Sequence, residues 1–141
     1  MENESIYKSV LLDHFHNPRN KGSLDSMDVI KRGSNPRCGD DVEVGIRCEN
    51  EIVESVRFRG HGCSICLASA SIMSESTKGL SFQQVRQLIE QMRQWFDRAD
   101  AETPSNTSLA ALGAVRKHPA RKKCVLLAWV ALEETLVEVV E

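Results

Sequence analysis

The chain has 141 residues, of which 41% are hydrophobic and 27% charged, and its formal net charge is −2. This length predicts a single domain, residues 1–141, that can bury a core without disulfide staples. The mixed charges exclude a nucleic-acid binder that relies on a basic surface, and the longest apolar run, residues 125–132, is too short to cross a membrane.

The cysteine count and the first residues predict the compartment. The sequence begins with acidic and polar residues, unlike a signal peptide, so we expect a cytoplasmic protein. It has five cysteines, an odd number that suits reduced thiols in metal or sulfur chemistry better than a disulfide framework.

The first half of the chain predicts one helix and then a small sheet. Apolar residues at helical spacing predict a helix over residues 5–15, which ends at Asn17-Pro18 and leads into a polar linker, residues 19–26. Strands are predicted at residues 27–33, 41–48 and 51–59. The two-residue connection Glu49-Asn50 makes the second and third strands a hairpin, and the three strands an antiparallel meander.

In the third strand, Ile52, Val56 and Phe58 are predicted to share the buried face, with Glu54 as an exception to the alternation.

The second half of the chain predicts helices. The hydrophobic period changes from two to about three and a half after Gly62. Ser81 is expected to cap the second of these helices, and Pro119 to open the last one, which runs from about residue 120 to 137. The predicted fold is therefore α+β, with helices packed on one face of a three-stranded antiparallel sheet.

Three cysteines far apart in sequence are predicted to meet. Strands two and three run in opposite directions and are nearly equal in length, so the start of one lies beside the end of the other. Cys38 and Asp40 stand at that start and Cys63 at that end, and the three residues should share one edge of the sheet.

Cys124 is expected in the first turn of the last helix. The neighbouring run Arg121-Lys122-Lys123 puts positive charge at a helix start, against the usual preference for acidic residues there. The bases and the helix start together would favour a thiolate at Cys124.

Thiolates and a carboxylate in one place predict a metal site, a reactive sulfur site, or both. The alternatives are that the cysteines are small core residues and that Asp40 only caps a turn. His61 and His118 are weaker rivals of Asp40 as a fourth ligand.

Several other residues allow two interpretations. Cys63 and Cys66 form a Cys-x-x-Cys, which in a βαβ unit would predict redox catalysis, but after an antiparallel hairpin Cys66 is better explained as a small packed residue near the site. Cys48 is predicted to be in the core, as are both tryptophans. His14 and His16 are expected at the surface.

Four motifs in order resemble the NifU/IscU family of iron–sulfur cluster assembly proteins, and within it the SufU type. They are Asp13-His14-Phe15-His16-Asn17-Pro18-Arg19-Asn20, Asn35-Pro36-Arg37-Cys38-Gly39-Asp40, Gly60-His61-Gly62-Cys63 with Ala68-Ser69-Ala70-Ser71, and Ala120-Arg121-Lys122-Lys123-Cys124.

The resemblance implies that Cys38, Asp40, Cys63 and Cys124 form the metal site. Lys123 stands where the scaffold branch has a histidine, and residues 97–118 are similar to an extra segment of the SufU branch. Both departures favour sulfur transfer over a scaffold role.

The resemblance leaves three hypotheses for function. The first is a zinc-dependent sulfurtransferase in which Cys38 accepts persulfide sulfur from a PLP-dependent cysteine desulfurase and Arg121 docks or orients the partner. The second is a scaffold that assembles a [2Fe–2S] cluster, or binds iron, on the same thiolates and passes it to downstream scaffolds or apo iron–sulfur proteins. The third is a non-catalytic binding module that zinc stabilises.

Overall fold

The structure, a computed structural model, describes residues 2–140, with side chains described for residues 5–139. The elements in chain order are α1 (Glu2–His16), β1 (Val29–Asn35), β2 (Asp40–Glu49), β3 (Ile52–His61), α2 (Ser64–Thr77), α3 (Phe82–Asp97), α4 (Thr107–Ala111), a 3-10 helix (Leu112–Val115) and α5 (Pro119–Val140). The α+β class, the meander and the order of the helices are confirmed. None of the described helices is long and apolar enough to span a membrane.

The sheet has the strand order β1-β2-β3, with both pairs antiparallel. The β2–β3 hairpin closes at Asn50-Glu51, one residue later than predicted. Both residues have positive φ, 52° and 62°. Two consecutive residues of this conformation make the type I′ turn, whose twist matches that of the flanking strands.

The predicted buried face of β3 is wrong at its start. Val53 pairs with Cys48 and Ser55 with Arg47, so Glu54 is an extra residue that has no partner in β2. This β-bulge resets the alternation of side chains. As a result Val53 is fully buried while Ile52 is 38% exposed.

The helices cover one face of the sheet. The α5 helix packs along β1 and β2, and α2 packs on β3 and on α5. Between the layers lies a core of fully buried residues, which include Val42, Val44, Ile46, Phe58 and Trp129. The α3 helix begins with the predicted cap at Ser81, whose side chain and that of Gln84 form a capping box.

The segment predicted as a polar linker is an ordered part of the fold. The Asn20 carbonyl accepts a hydrogen bond from the Phe58 amide, and the Gly22 amide donates to the Phe58 carbonyl. Leu24 is buried beside Gly45, where a β-carbon would lie 3.4 Å from Leu24 Cδ2. Because Gly45 alternates with Val44 and Ile46, this segment covers the sheet face opposite the helices.

His14 lies in the interior rather than at the surface. Its ring is 2% exposed, and Nδ1 lies 2.8 Å from the Ser71 hydroxyl oxygen. Ile6, which the helical spacing placed on the inner stripe of α1, is 51% exposed. The pattern left Leu11 and Leu12 as alternatives for that stripe; Leu11 packs against the core, and Leu12 is 48% exposed. The inner face of α1 therefore includes Leu11, one of the two alternatives, and His14 in place of Ile6.

Candidate metal and sulfur site

The candidate site forms where two loops at one end of the sheet meet the start of α5. Asp41 pairs with His61 in the β2–β3 ladder. The turn before β2 and the residues after β3 are therefore neighbours, as the hairpin argument predicted. Cys38 comes from the first loop, Asp40 is the first residue of β2, and Cys63 comes from the second loop.

Cys38 stands on a tight turn between β1 and β2 and is exposed. Its amide donates to the Asn35 carbonyl at 3.1 Å, and Gly39 continues the turn with a φ of 71°. The Asn35 side-chain amide approaches the Cys38 sulfur at 3.6 Å. The turn thus presents the sulfur to solvent while an amide donor lies beside it.

Asp40, in contrast to Cys38, is only 1% exposed although its side chain is a carboxyl group. Its Oδ1 accepts a hydrogen bond from the Cys63 amide at 2.8 Å. A β-carbon at position 62 would lie 2.7 Å from the same oxygen, so the glycine there leaves room for the carboxylate. Its other described contacts are with the Cys63 and Cys124 thiols, which are weak donors, so a cation would still lower the cost of burying this carboxylate.

Cys63 caps the N-terminus of α2. Its sulfur accepts from the Cys66 amide at 3.4 Å and lies 4.0 Å from Asp40 Oδ2. Cys66 itself is fully buried, and burial, reinforced by the charges of Asp40, Cys63 and Cys38, raises its thiol pKa to about 12. A thiol with that pKa is a poor nucleophile at neutral pH, which supports a packing role for Cys66 over redox catalysis.

Cys124 lies in the second turn of α5 rather than the first, and its side chain is buried. Its sulfur is 3.7 Å from that of Cys38. The backbone there is fixed from α2, because the Ser69 hydroxyl donates to the Val125 carbonyl at 2.7 Å and accepts from Trp129 Nε1 at 3.0 Å.

Burial and hydrogen bonds oppose the stabilisation of a Cys124 thiolate that the neighbouring bases were expected to give. Burial raises the pKa of the Cys124 thiol, and hydrogen bonds to Asp40, Cys38 and Cys63 raise it further. Lys122 forms an ion pair with Asp97, while Arg121 and Lys123 are exposed. A bound cation would have to provide the positive charge that a Cys124 thiolate needs.

Cys38, Asp40 and Cys124 form the one group of metal-ligand type in the described part of the chain. One ligand atom from each lies within 4.8 Å of the others. Zn–S bonds of about 2.3 Å at tetrahedral angles put two sulfurs about 3.8 Å apart, which the Cys38–Cys124 separation of 3.7 Å matches. Two thiols and a buried carboxylate therefore fit zinc in both chemistry and spacing.

The remaining predicted ligands stand apart from this group. The Cys63 sulfur turns toward its own helix start, yet its contact with Asp40 keeps it beside the group. His61 and His118 are both exposed and outside it. The four-ligand set of Cys38, Asp40, Cys63 and Cys124 stays a prediction, as does a role for Arg121.

Two supports of the site were not identified from the sequence. Asn35, whose amide reaches the Cys38 sulfur, and Ser69, which fixes the backbone after Cys124, both fall within the motifs quoted above. Asn35 could have been identified as a polar residue three positions before a candidate thiol. Ser69 could not, because the carbonyl to which it donates, that of Val125, lies 56 residues away in the sequence.

Comparison with known proteins places this arrangement in a family. The NifU-like N terminal domain model matches residues 6–138. The zinc-dependent sulfurtransferase SufU of Bacillus subtilis strain 168 is 38% identical over 93% of this chain and 89% of that protein. The iron–sulfur cluster assembly scaffold protein IscU of Thermotoga maritima is 31% identical over 93% of this chain and 92% of that protein.

Solved structures share the fold. A proposed iron–sulfur cluster assembly scaffold protein of the SUF system from Fervidobacterium islandicum AW-1 has a TM-score of 0.83 and 27% identity, over 94% of this chain and 97% of that chain. The N-terminal part of a NifU-like protein from Brucella abortus has a TM-score of 0.85 over 96% of this chain and 95% of that chain. At 20% identity, the latter bears on the fold alone.

Proposed function

The chain belongs to the NifU-like N-terminal domain family, and from that premise we propose that it acts in iron–sulfur cluster assembly as a zinc-dependent sulfur acceptor. It takes sulfur from the persulfide of a PLP-dependent cysteine desulfurase. The similarity to SufU over nearly the full length of both proteins supports this function, and so does the lysine that precedes Cys124.

Zinc would be held by Cys38, Asp40 and Cys124, with Cys63 next to them as the fourth ligand. When bound, the metal supplies the positive charge that keeps buried thiols deprotonated. The chain's own contribution is to bring donors from a turn, a strand and a helix to one point and to shield Asp40 and Cys124 from water.

The difference in exposure between the two sulfurs is the observation that carries the proposal. Cys38 is exposed, and Cys124, 3.7 Å away, is buried. A partner's persulfide can approach Cys38 from solvent without any rearrangement of the core. Cys124 and Asp40 are positioned to hold a metal rather than to meet a second protein.

Cys38 would act as the nucleophile. Its thiolate attacks the outer sulfur of the desulfurase persulfide, and a new S–S bond forms as the old one breaks. The electron pair of the broken bond leaves on the desulfurase cysteine, and the transferred sulfur keeps its proton. Cys38 becomes the persulfide and the desulfurase cysteine becomes a thiolate, so no external oxidant or reductant is required.

Arg121 would dock or orient the partner. It is exposed in the first turn of α5, one turn before Cys124, and its side chain is not used in a described ion pair. The sulfur would then pass from Cys38 to a downstream scaffold or apo iron–sulfur protein.

A scaffold that assembles a [2Fe–2S] cluster is the second candidate. The thiol set is compatible with a cluster, and IscU proteins are among the relatives. Aerobic purification with metal analysis separates the two: a brown protein with iron and acid-labile sulfide favours the scaffold, and a colourless protein with zinc favours the sulfur acceptor.

Replacement of Cys38 tests the acceptor role. We expect Cys38→Ala to reduce desulfurase-dependent sulfur transfer to background, because the exposed nucleophile is lost. Mass spectrometry should find the added sulfur on the Cys38 peptide of the wild-type chain. Cys48→Ala, at a half-buried thiol on β2 outside the site, is the matched control and should transfer sulfur normally.

Survival of transfer in the Cys38→Ala variant would leave the third hypothesis, a binding module that zinc only stabilises.

A further inference from the structure

A cavity lies away from the candidate metal site, between α1, the end of α3 and residues 103–117. Its volume is about 540 Å³, within the range of sites that bind small organic ligands. Apolar groups, among them Leu11 and Ala114, form part of its wall. No proposed step of sulfur transfer uses this cavity.

The Trp95 ring forms part of the cavity wall. Trp95 is 2% exposed, and its Nε1 has no hydrogen-bond partner. The indole edge next to that nitrogen faces Gly113, where a β-carbon would lie 2.7 Å from Trp95 Cζ2, and both residues line the cavity. That N–H is itself buried and does not reach the open volume, so Trp95 contributes its indole ring to the cavity wall rather than a hydrogen bond to a ligand.

Arg116 adds a fixed positive charge to the same wall. Its guanidinium lies over the Trp95 ring at 5.0 Å from the centroid. Nε donates to the Trp95 carbonyl at 2.8 Å, and Nη2 to the Arg98 carbonyl at 2.6 Å. These two bonds orient the planar group and leave further N–H donors for a ligand.

The other charged groups of the wall are also positive. Lys8 and Lys117 line the cavity, and no acidic side chain is among its described lining residues. Within the described part of the chain, neither lysine nor Arg116 forms an ion pair with a carboxylate. Three cations beside an apolar wall, with no carboxylate among the described lining residues, favour an anion over a neutral molecule.

We propose that this cavity binds a small amphipathic anion, with a carboxylate or phosphate group on the basic wall and an apolar body against Leu11 and Ala114. The oxyanion accepts hydrogen bonds from the free N–H groups of the Arg116 guanidinium, beside the Trp95 ring. The ligand is a free organic acid or a phosphate ester of comparable size. The proposal is independent of the sulfur-acceptor role.

The two tryptophans allow a direct test on the full-length chain in its metal-loaded form. Trp129 Nε1 already donates to Ser69, so its N–H signal in a ¹H–¹⁵N spectrum is an internal reference. Octanoate should shift the Trp95 indole signal saturably and leave that of Trp129 in place. Octanol, the neutral analogue, should bind at least about tenfold more weakly because it makes no charged hydrogen bonds.

Octyl phosphate distinguishes the two ligand classes, since the tighter of the two anions identifies the head group. The Lys8→Met/Lys117→Met double variant should weaken either anion by about tenfold. Lys78→Met/Arg86→Met removes two exposed charges outside the cavity and should not change the affinity. Arg116 is left intact because it also ties two carbonyls of the α3 end.

Equal shifts with octanol and octanoate, no shift of the Trp95 signal, or undiminished affinity in the Lys8/Lys117 double variant would each overturn the proposal.

Discussion

At the scale of the residue, burial gives the His14 ring hydrogen-bond contacts but makes the ring harder to protonate. Nδ1 meets the Ser71 hydroxyl at 2.8 Å, and the Arg19 amide donates to the same hydroxyl at 2.8 Å. These bonds join the end of α1 to the middle of α2. Burial lowers the pKa of His14, with a smaller contribution from Arg19, and outweighs the opposing effect of Glu75.

Because the pKa of His14 is lowered, the unfolding free energy decreases as the pH falls. The folded chain binds the proton less readily than the unfolded chain does, so protonation favours unfolding. The stabilising contribution is present above the unfolded pKa of about 6.5 and is lost as the pH falls toward the folded value.

We therefore expect His14→Asn, which keeps a polar group at the δ position, to flatten the dependence of the unfolding free energy on pH below about 6.5. The difference in slope between wild type and variant should be at most about 1.4 kcal/mol per pH unit, the limit for one proton. Urea titrations at several pH values measure it. His16→Asn, at an exposed ring on the same helix, should keep the wild-type slope.

Burial also distinguishes the sulfurs of Cys38 and Cys124 in the candidate site. Cys38 on its turn remains open to solvent, while Cys124 loses solvation, and its thiol pKa rises. Alternation and helical period predicted where each residue lies along the chain. They did not predict this contrast, because solvation depends on neighbours from other elements.

At the scale of the element, the β2–β3 hairpin has strain at its turn. Glu51 has a φ of 62°, a left-handed conformation that disfavours residues with a β-carbon. Asn50 before it tolerates that conformation better. The predicted hairpin is confirmed, and its closing residues are one position further along than the sequence suggested.

Replacement of Glu51 by glycine should stabilise the protein by about 0.5–1 kcal/mol, because Asn-Gly is the preferred pair of a type I′ turn. Glu51 is exposed, so no buried contact is lost. Thermal unfolding measures the gain as a higher Tm. Glu49→Gly, in the neighbouring strand, should instead destabilise the protein; stabilisation by both changes, or by neither, would contradict the strain argument.

At the scale of the whole molecule, the candidate metal ligands come from segments that are far apart in the sequence. Cys38 lies before β2, Asp40 begins β2, and Cys124 is on α5. A metal that joins them ties the sheet to the last helix. Metal that binds only the folded chain raises stability by mass action.

Removal of zinc with a chelator should therefore lower the Tm, and zinc should restore it. The stabilisation should reach about 4 kcal/mol when free zinc is about 1,000 times its Kd. Asp40→Asn keeps an oxygen that can accept from the Cys63 amide but removes the charge. We expect its metal-free form to fold and its zinc affinity to fall at least about tenfold in a competition titration.

An Asp40→Asn variant that binds zinc as tightly as the wild type would argue that Asp40 only caps the turn, the alternative that the sequence left open.

The sequence by itself determined the elements of this protein and one edge of its site. Periodicity and turn residues are local, so they located the helices, the meander and the approach of Cys38 to Cys63 through a short hairpin. The helix order and the family motifs also followed from the sequence.

Only the tertiary structure decided the position of Cys124, the burial of His14 and the ordered path of residues 19–28 over the second sheet face. Each depends on contacts between segments distant in sequence, such as Ser69 with Val125 and Leu24 with Gly45. Such contacts have no periodic signature, because packing and solvation are set by whichever elements the folded chain brings together.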